Sequence, residues 1–135
     1  DKTGRGIAIN DMVFNVQSEV IRQLAEKESC VIIGRCADYV LREQPGVTSV
    51  FVYADMDARI RRIMEVRKLT RDDAITLIKK TDKSRRNYYE CYTGKRWGAG
   101  ASYDVTLNSA ELGLDTCVDL ICHLYDRKQE GESED

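Results

Sequence analysis

The chain has 135 residues, 42% of them hydrophobic and 33% charged, and a formal net charge of −2. That length predicts a single domain, and the near-balanced charge argues against a general nucleic-acid binder. No apolar run approaches the about 18 residues of a membrane span, and no signal-peptide pattern is present.

The sequence opens at Asp1 without an initiator methionine and reads as a chain entered midway. Asn10 is placed to cap a helix from Asp11 to about Lys27, with Val13, Val16, Val20, Ile21 and Leu24 on its inward face. Cys30-Val31-Ile32-Ile33 has the composition of a buried strand, ended by Gly34, and Arg35 to Arg42 follows as a short helix with Ala37, Val40 and Leu41 inward. Gln44-Pro45-Gly46 is a turn. Val50-Phe51-Val52-Tyr53-Ala54 is short, β-branched and aromatic, as a strand buried on both faces requires. After Asp55-Met56-Asp57, the segment from Ala58 to Lys68 has helical spacing, with Ile60, Ile63 and Met64 on one stripe. Thr70-x-x-Asp73 is a capping box opening a helix from Arg71 to about Tyr92. Gly94 to Gly100 reads as a loop, Asp104 to Leu107 as a third strand, and Asn108-Ser109 as a turn. A last helix from about Asp115 has Cys117, Val118, Ile121, Leu124 and Tyr125 in register, and residues 129–135 form a polar, acidic tail expected to be disordered.

Alternation of helices with apolar strands, without hairpin turns, predicts an α/β fold with a parallel sheet. In such sheets ligands sit beyond the carboxyl ends of the strands. Three strands make a thin sheet, so at least one further strand is expected from outside the chain.

Cys30, Cys36, Cys91, Cys117 and Cys122 are odd in number and contain no Cys-x-x-Cys, which indicates reduced thiols in a cytoplasmic protein. His123 is the only histidine and falls on a polar side near Asp119 and Asp126, so no metal site is expected.

Cations past the strand ends form the candidate site. Gly34-Arg35 closes the first strand, where glycine permits close backbone approach and arginine offers a planar fork of donors. Arg59 and Arg62 lie three apart beyond the second strand, where they can cradle a phosphoryl group or form part of a solvated face with Glu65. Lys79 to Arg86 carries five cations against Asp82, beside Tyr88, Tyr89 and Tyr92. Asp82 can pair with Arg85 or Arg86 along the helix, yet the excess charge calls for an anionic partner. Gly94-Lys95-Arg96 fails as a Walker loop, since Tyr89 and Arg96 stand where glycine and a hydroxyl residue are needed.

Taken together, the blocks Cys30–Val40, Val50–Met64, Asp82–Tyr89, Tyr92–Gly98 and Tyr103–Ser109 resemble the cytidylate kinase-like family of P-loop nucleoside monophosphate kinases, over about Asn10 to Tyr125. The resemblance implies a P-loop kinase-like three-layer fold with a parallel sheet, incomplete at the N-terminus. Residues 1–128 would be the C-terminal part of such a domain, with a lid over about residues 65–100 and the glycine-rich phosphate loop preceding Asp1. It implies ATP-dependent phosphoryl transfer to a nucleoside monophosphate such as CMP or dCMP, with Mg²⁺. By position, Arg35, Cys36 and Asp38 would meet the monophosphate, and Arg59, Arg62, Arg85 and Arg86 the transferring phosphates. Asn108 and Ser109 begin the loop that passes the adenine. Cytidylate kinases carry Gly-Arg-Asp where this chain has Gly34-Arg35-Cys36, so a kinase for another small acceptor stays open. So does a non-catalytic module that binds nucleotide or nucleic acid on a kinase-like fold.

Overall fold

A computed structural model of the protein describes the backbone of residues 2–134 and the side chains of residues 9–131. Asp1 and Asp135, the outer ends of the two expected segments, lie outside the described residues. The chain divides into two compact units, Asp1–Val47 and Thr48–Asp135. Mixed helix and strand with parallel pairing make it an α/β protein.

The first unit is built on helix α1, Lys2–Lys27, and the short helix α2, Ala37–Val40. Asn10 lies inside α1 rather than at its cap, because the helix begins earlier. The inward face of α1 also differs from the expected stripe. Ile21 is buried with Ala37, Val40 and Leu41, and Phe14, Ala25, Ile32 and Val47 pack around them. Val13, Val16, Val20 and Leu24 are exposed. Both sets satisfy helical spacing, but the small core of α2 accepts the stripe carrying Phe14 and the compact Ala25. Ser18 falls within this buried stripe, and its hydroxyl has no hydrogen-bond partner among the described residues.

Cys30 to Ile33 does not form a strand among the described residues. Its alternation is strand-like, since Ile32 packs inward while Val31 and Ile33 are 86% and 90% exposed. A strand exists only through hydrogen bonds to a neighbour, and no described residue pairs with this segment as a strand.

The second unit is organised by strands β1, Val50–Tyr53, and β2, Val105–Asn108. They run parallel, with Val50 opposite Val105 and Tyr53 opposite Asn108. The pair is locked at its start. Ser49 N–H donates to Asp104 Oδ2 at 2.8 Å, and Asp104 N–H reaches Ser49 Oγ at 2.9 Å. At the other end Ser109 Oγ donates to the Tyr53 carbonyl at 3.3 Å. Asp104 thus serves as a clamp ahead of the strand rather than as its first residue. The sheet has two strands among the described residues, and β1 is not buried on both faces: Val52 and Tyr53 are exposed.

Three helices of this unit start on a side-chain cap. For α3, Met56–Arg67, Asp55 accepts from Ala58 N–H at 2.8 Å. Helix α4, Arg71–Thr93, starts at Thr70, whose hydroxyl accepts from Asp73 N–H at 3.2 Å. In α5, Ser109–Leu112, Asn108 accepts from Glu111 N–H. Such caps satisfy N–H groups that have no partner within the helix. Ile60, 2% exposed, packs with Ala74 and Ile78 to join α3 to α4, with Ile63, Met64 and Ile75 around them.

Helix α6 runs Leu114–Glu134, so the backbone at the start of the expected tail is helical. An Arg127–Glu130 pair at 3.4 Å supports that turn, and no proline interrupts it. Cys117 is its buried residue, whereas Val118 and Tyr125 of the expected stripe are exposed. None of the five cysteines forms a disulfide among the described residues. Cys36 and Cys117 are buried, while Cys30 and Cys122 are exposed despite their apolar sequence neighbours. No helix is long and apolar enough, among the described residues, to cross a membrane.

The unpartnered Ser18 hydroxyl carries the desolvation cost of a buried polar atom. Ser18→Ala is therefore expected to raise stability by up to about 1 kcal/mol, read as a higher urea midpoint at unchanged slope.

Candidate functional site

Parallel pairing places the carboxyl ends of both strands side by side, at Tyr53 and Asn108. Chain leaving β1 enters α3 through the Asp55 cap, and chain leaving β2 enters α5 through the Asn108 cap. Arg59 and Arg62 therefore stand in the first turns of the helix that departs from the strand end. Arg62 is exposed and has no side-chain partner among the described residues.

Arg59 does not stand free. Its Nη1 donates to Asp82 Oδ2 at 2.8 Å and its Nη2 to Asp82 Oδ1 at 2.6 Å. The pair is partly buried, with Asp82 the deeper member. The expected pairing of Asp82 with Arg85 or Arg86 along α4 is thus replaced by a bidentate pair between helices. The cause is position: Asp82 follows Ala74 and Ile78 at four-residue steps, on the stripe that faces α3. Hydrogen bonding to Asp82 raises the Arg59 pKa above its ordinary value, and partial burial opposes this only in part. A raised folded-state value stabilises the fold fully below the ordinary arginine range and is lost only as pH rises beyond it. The guanidinium is cationic throughout the physiological range.

Arg85 and Arg86 are exposed and lie three and four residues beyond Asp82 on α4. Arg86 sits over the Trp97 ring, 5.9 Å from its centroid. Trp97 meets Phe51 of β1 edge-on at 5.5 Å, and Phe51 also meets Tyr103 at 4.9 Å. Tyr103 stacks with Tyr89 of α4 at 6.1 Å. The loop 94–104 thereby rests on one face of β1. Gly98 permits this closeness. Its φ is 79°, and a Cβ there would come within 3.2 Å of the Phe51 ring. The sequence singled out neither this aromatic shelf nor Asp82 as a site residue. The available signal for Asp82 was an acid in an apolar stripe of α4.

Asn108 and Ser109 sit at the sheet edge as expected, but their side chains are committed to the α5 cap and the Tyr53 carbonyl.

In the first unit, Gly34, Arg35 and Cys36 form three successive left-handed residues, with φ of 73°, 57° and 57°. A left-handed conformation costs a residue bearing a Cβ about 1–2 kcal/mol, so two such residues in succession are strain that surrounding structure must offset. Arg35 is exposed, Cys36 buried and Asp38 half-buried. The predicted helix from Arg35 shortens to Ala37–Val40 because this turn occupies its first residues.

The bidentate pair is expected to couple the two helices energetically. A double-mutant cycle of Arg59→Ala and Asp82→Ala, read by denaturant unfolding, should give an interaction energy of about 1–3 kcal/mol. The same cycle on the exposed Arg127–Glu130 pair should give about 0.5 kcal/mol or less.

The model of the cytidylate kinase-like family matches residues 2–111, a span holding Arg35, Arg59, Arg62, Arg85 and Arg86. A crystal structure of an uncharacterized protein from Eubacterium ventriosum ATCC 27560 is similar, with a TM-score of 0.82 and 33% sequence identity. The similarity covers 90% of this chain and 76% of that one. No curated protein matches the chain. Strand-end arginines, capped helices and these two matches lead to one conclusion: the chain belongs to the cytidylate kinase-like family.

Proposed function

We propose that the protein transfers the γ-phosphoryl group of ATP to a nucleoside monophosphate, CMP or dCMP, on a three-layer P-loop kinase-like fold in the cytoplasm. One observation carries the reading: Arg59 and Arg62 stand on the helix leaving the carboxyl end of a parallel strand, with Asp82, Arg85 and Arg86 on the helix packed against it. Family membership supports the kinase class.

In this reading an acceptor phosphate oxygen attacks the γ-phosphorus in line as the bond to the bridging oxygen breaks and ADP leaves. Catalysis of such a step is positioning and charge neutralisation. Arg62, Arg85 and Arg86 supply exposed guanidinium groups for the equatorial oxygens, and Arg59 supplies the donors that Asp82 leaves unused. Arg35, Cys36 and Asp38 are assigned to the acceptor. The backbone at Asn108 and Ser109 is assigned to the adenine, in keeping with side chains already committed elsewhere. Mg²⁺ would enter on the ATP phosphates, as this ion commonly does. Among the described residues no group of three His, Cys, Asp or Glu side chains could hold it.

The test is a coupled assay with ATP, Mg²⁺ and CMP, dCMP, UMP or AMP. Turnover with one of these is expected, and Arg62→Ala, Arg85→Ala and Arg86→Ala should each lower kcat on the order of 10²–10³-fold, as loss of a preorganised donor does. Full activity in all three variants overturns these roles.

Cys36 favours a second reading, in which the acceptor is another small phosphate or hydroxyl compound. Restoring the family residue with Cys36→Asp separates the two. Asp tolerates the left-handed backbone of this position. A rise in the preference for CMP over UMP and AMP is the expected outcome if residue 36 reads the base. An unchanged preference assigns base selection elsewhere.

A further inference from the structure

Asp82 has no role in the site as assigned from sequence, yet it is the residue that touches Arg59. The bidentate pair uses Nη1 and Nη2, the end of the guanidinium, with one oxygen on each nitrogen. Arginine has five donors in a rigid fork. The Nε–H and the outer hydrogen of each terminal nitrogen are left without a protein partner among the described residues. A phosphate can therefore dock on the Nε side of the fork while Asp82 keeps the end, so ligand and carboxylate need not compete.

Asp82 is also well placed to act as an anchor. It continues the Ala74–Ile78 stripe of α4, which packs against Ile60, the neighbour of Arg59 on α3. Its side chain is 15% exposed, against 33% for Arg59. On the α3 side, Arg59 follows the Asp55 cap by one turn, so its backbone is tied to the end of β1. A long side chain that would otherwise sample many rotamers is held at its far end by a carboxylate fixed in a helix seam.

We propose that Asp82 is a positioning residue: it grips the end of the Arg59 guanidinium and so presents the Nε edge to a ligand phosphate. This rests on the phosphate-gripping role of Arg59 proposed above and names the residue that makes that role geometrically possible. Removing the carboxylate also removes a negative charge, which by itself would favour an anion. In this proposal the loss of orientation outweighs this gain in positive charge. Carboxylates that orient metal-binding histidines show the scale, about 10–100-fold on removal.

The probe is inorganic pyrophosphate added to the whole chain, followed by the ¹⁵N-edited signal of the Arg59 Nε–H. In the wild type that signal is expected to shift with saturation. In Asp82→Asn the affinity is expected to fall about tenfold or more, with partial recovery in Asp82→Glu. In an Arg59→Ala background, Asp82→Asn should have no further effect on affinity. Added guanidinium ion should restore pyrophosphate binding to Arg59→Ala but not to the Arg59→Ala, Asp82→Asn double variant. A purely structural role for the pair predicts no such rescue. Tighter binding by Asp82→Asn overturns the proposal, because Asp82 would then be a competitor for the fork. An Arg59 signal that never responds to pyrophosphate in the wild type, a reading that needs no variant to fold, overturns it as well. A responding signal in a protein without kinase turnover refutes the proposed reaction alone.

Discussion

Parallel pairing of Val50–Tyr53 with Val105–Asn108 is the constraint from which the second unit follows. It joins segments 55 residues apart in sequence. Its entropy cost is offset by bonds at both ends, through Ser49 and Asp104 at one and Ser109 and Tyr53 at the other. Because the strands are parallel, both connections leave from the same edge. Two capped helices and the arginines of α3 consequently gather there, and the aromatic shelf of Trp97, Phe51, Tyr103 and Tyr89 settles the intervening loop on one sheet face.

Charge is used economically at that edge. A cluster of arginines repels itself, and the partly buried Arg59 is neutralised by Asp82 while Arg62 and Arg85 stay exposed and Arg86 lies over Trp97. Burying Arg59 without its partner would leave an unpaired charge beside the Ile60–Ile78 seam, which is far costlier than either residue's absence from the surface. The same pair binds α3 to α4 and limits where the guanidinium points. One interaction thus joins the two helices and orients a long side chain.

Strain is concentrated in the first unit. Gly34 alone could turn the chain without penalty, but Arg35 and Cys36 follow it into the left-handed region. The hydrogen bond from Ala37 N–H to the Gly34 carbonyl at 3.2 Å closes this turn, and Cys36, Ala37, Val40 and Leu41 are buried beyond it. Apolar burial after the turn is what holds two unfavourable residues in place.

Local features were legible in the sequence because local chemistry decides them. The cap at Thr70, the helix ends near Lys68 and Gly94, and the Ile60 stripe each depend on residues within a turn or two. Family likeness was legible for a related reason, since ordered blocks of residues survive in linear form. Tertiary structure decided the rest. Two stripes on α1 fit helical spacing, and only the size of the core beneath chose Phe14, Ile21 and Ala25 over the valines. The β character of Val31 and Ile33 yielded no strand, because a ladder needs a neighbour that spacing cannot supply. Asp82 had partners within reach along its own helix, yet it bonds Arg59, 23 residues away. Sequence distance carries no information about which of several opposite charges a packed seam will bring within 3 Å.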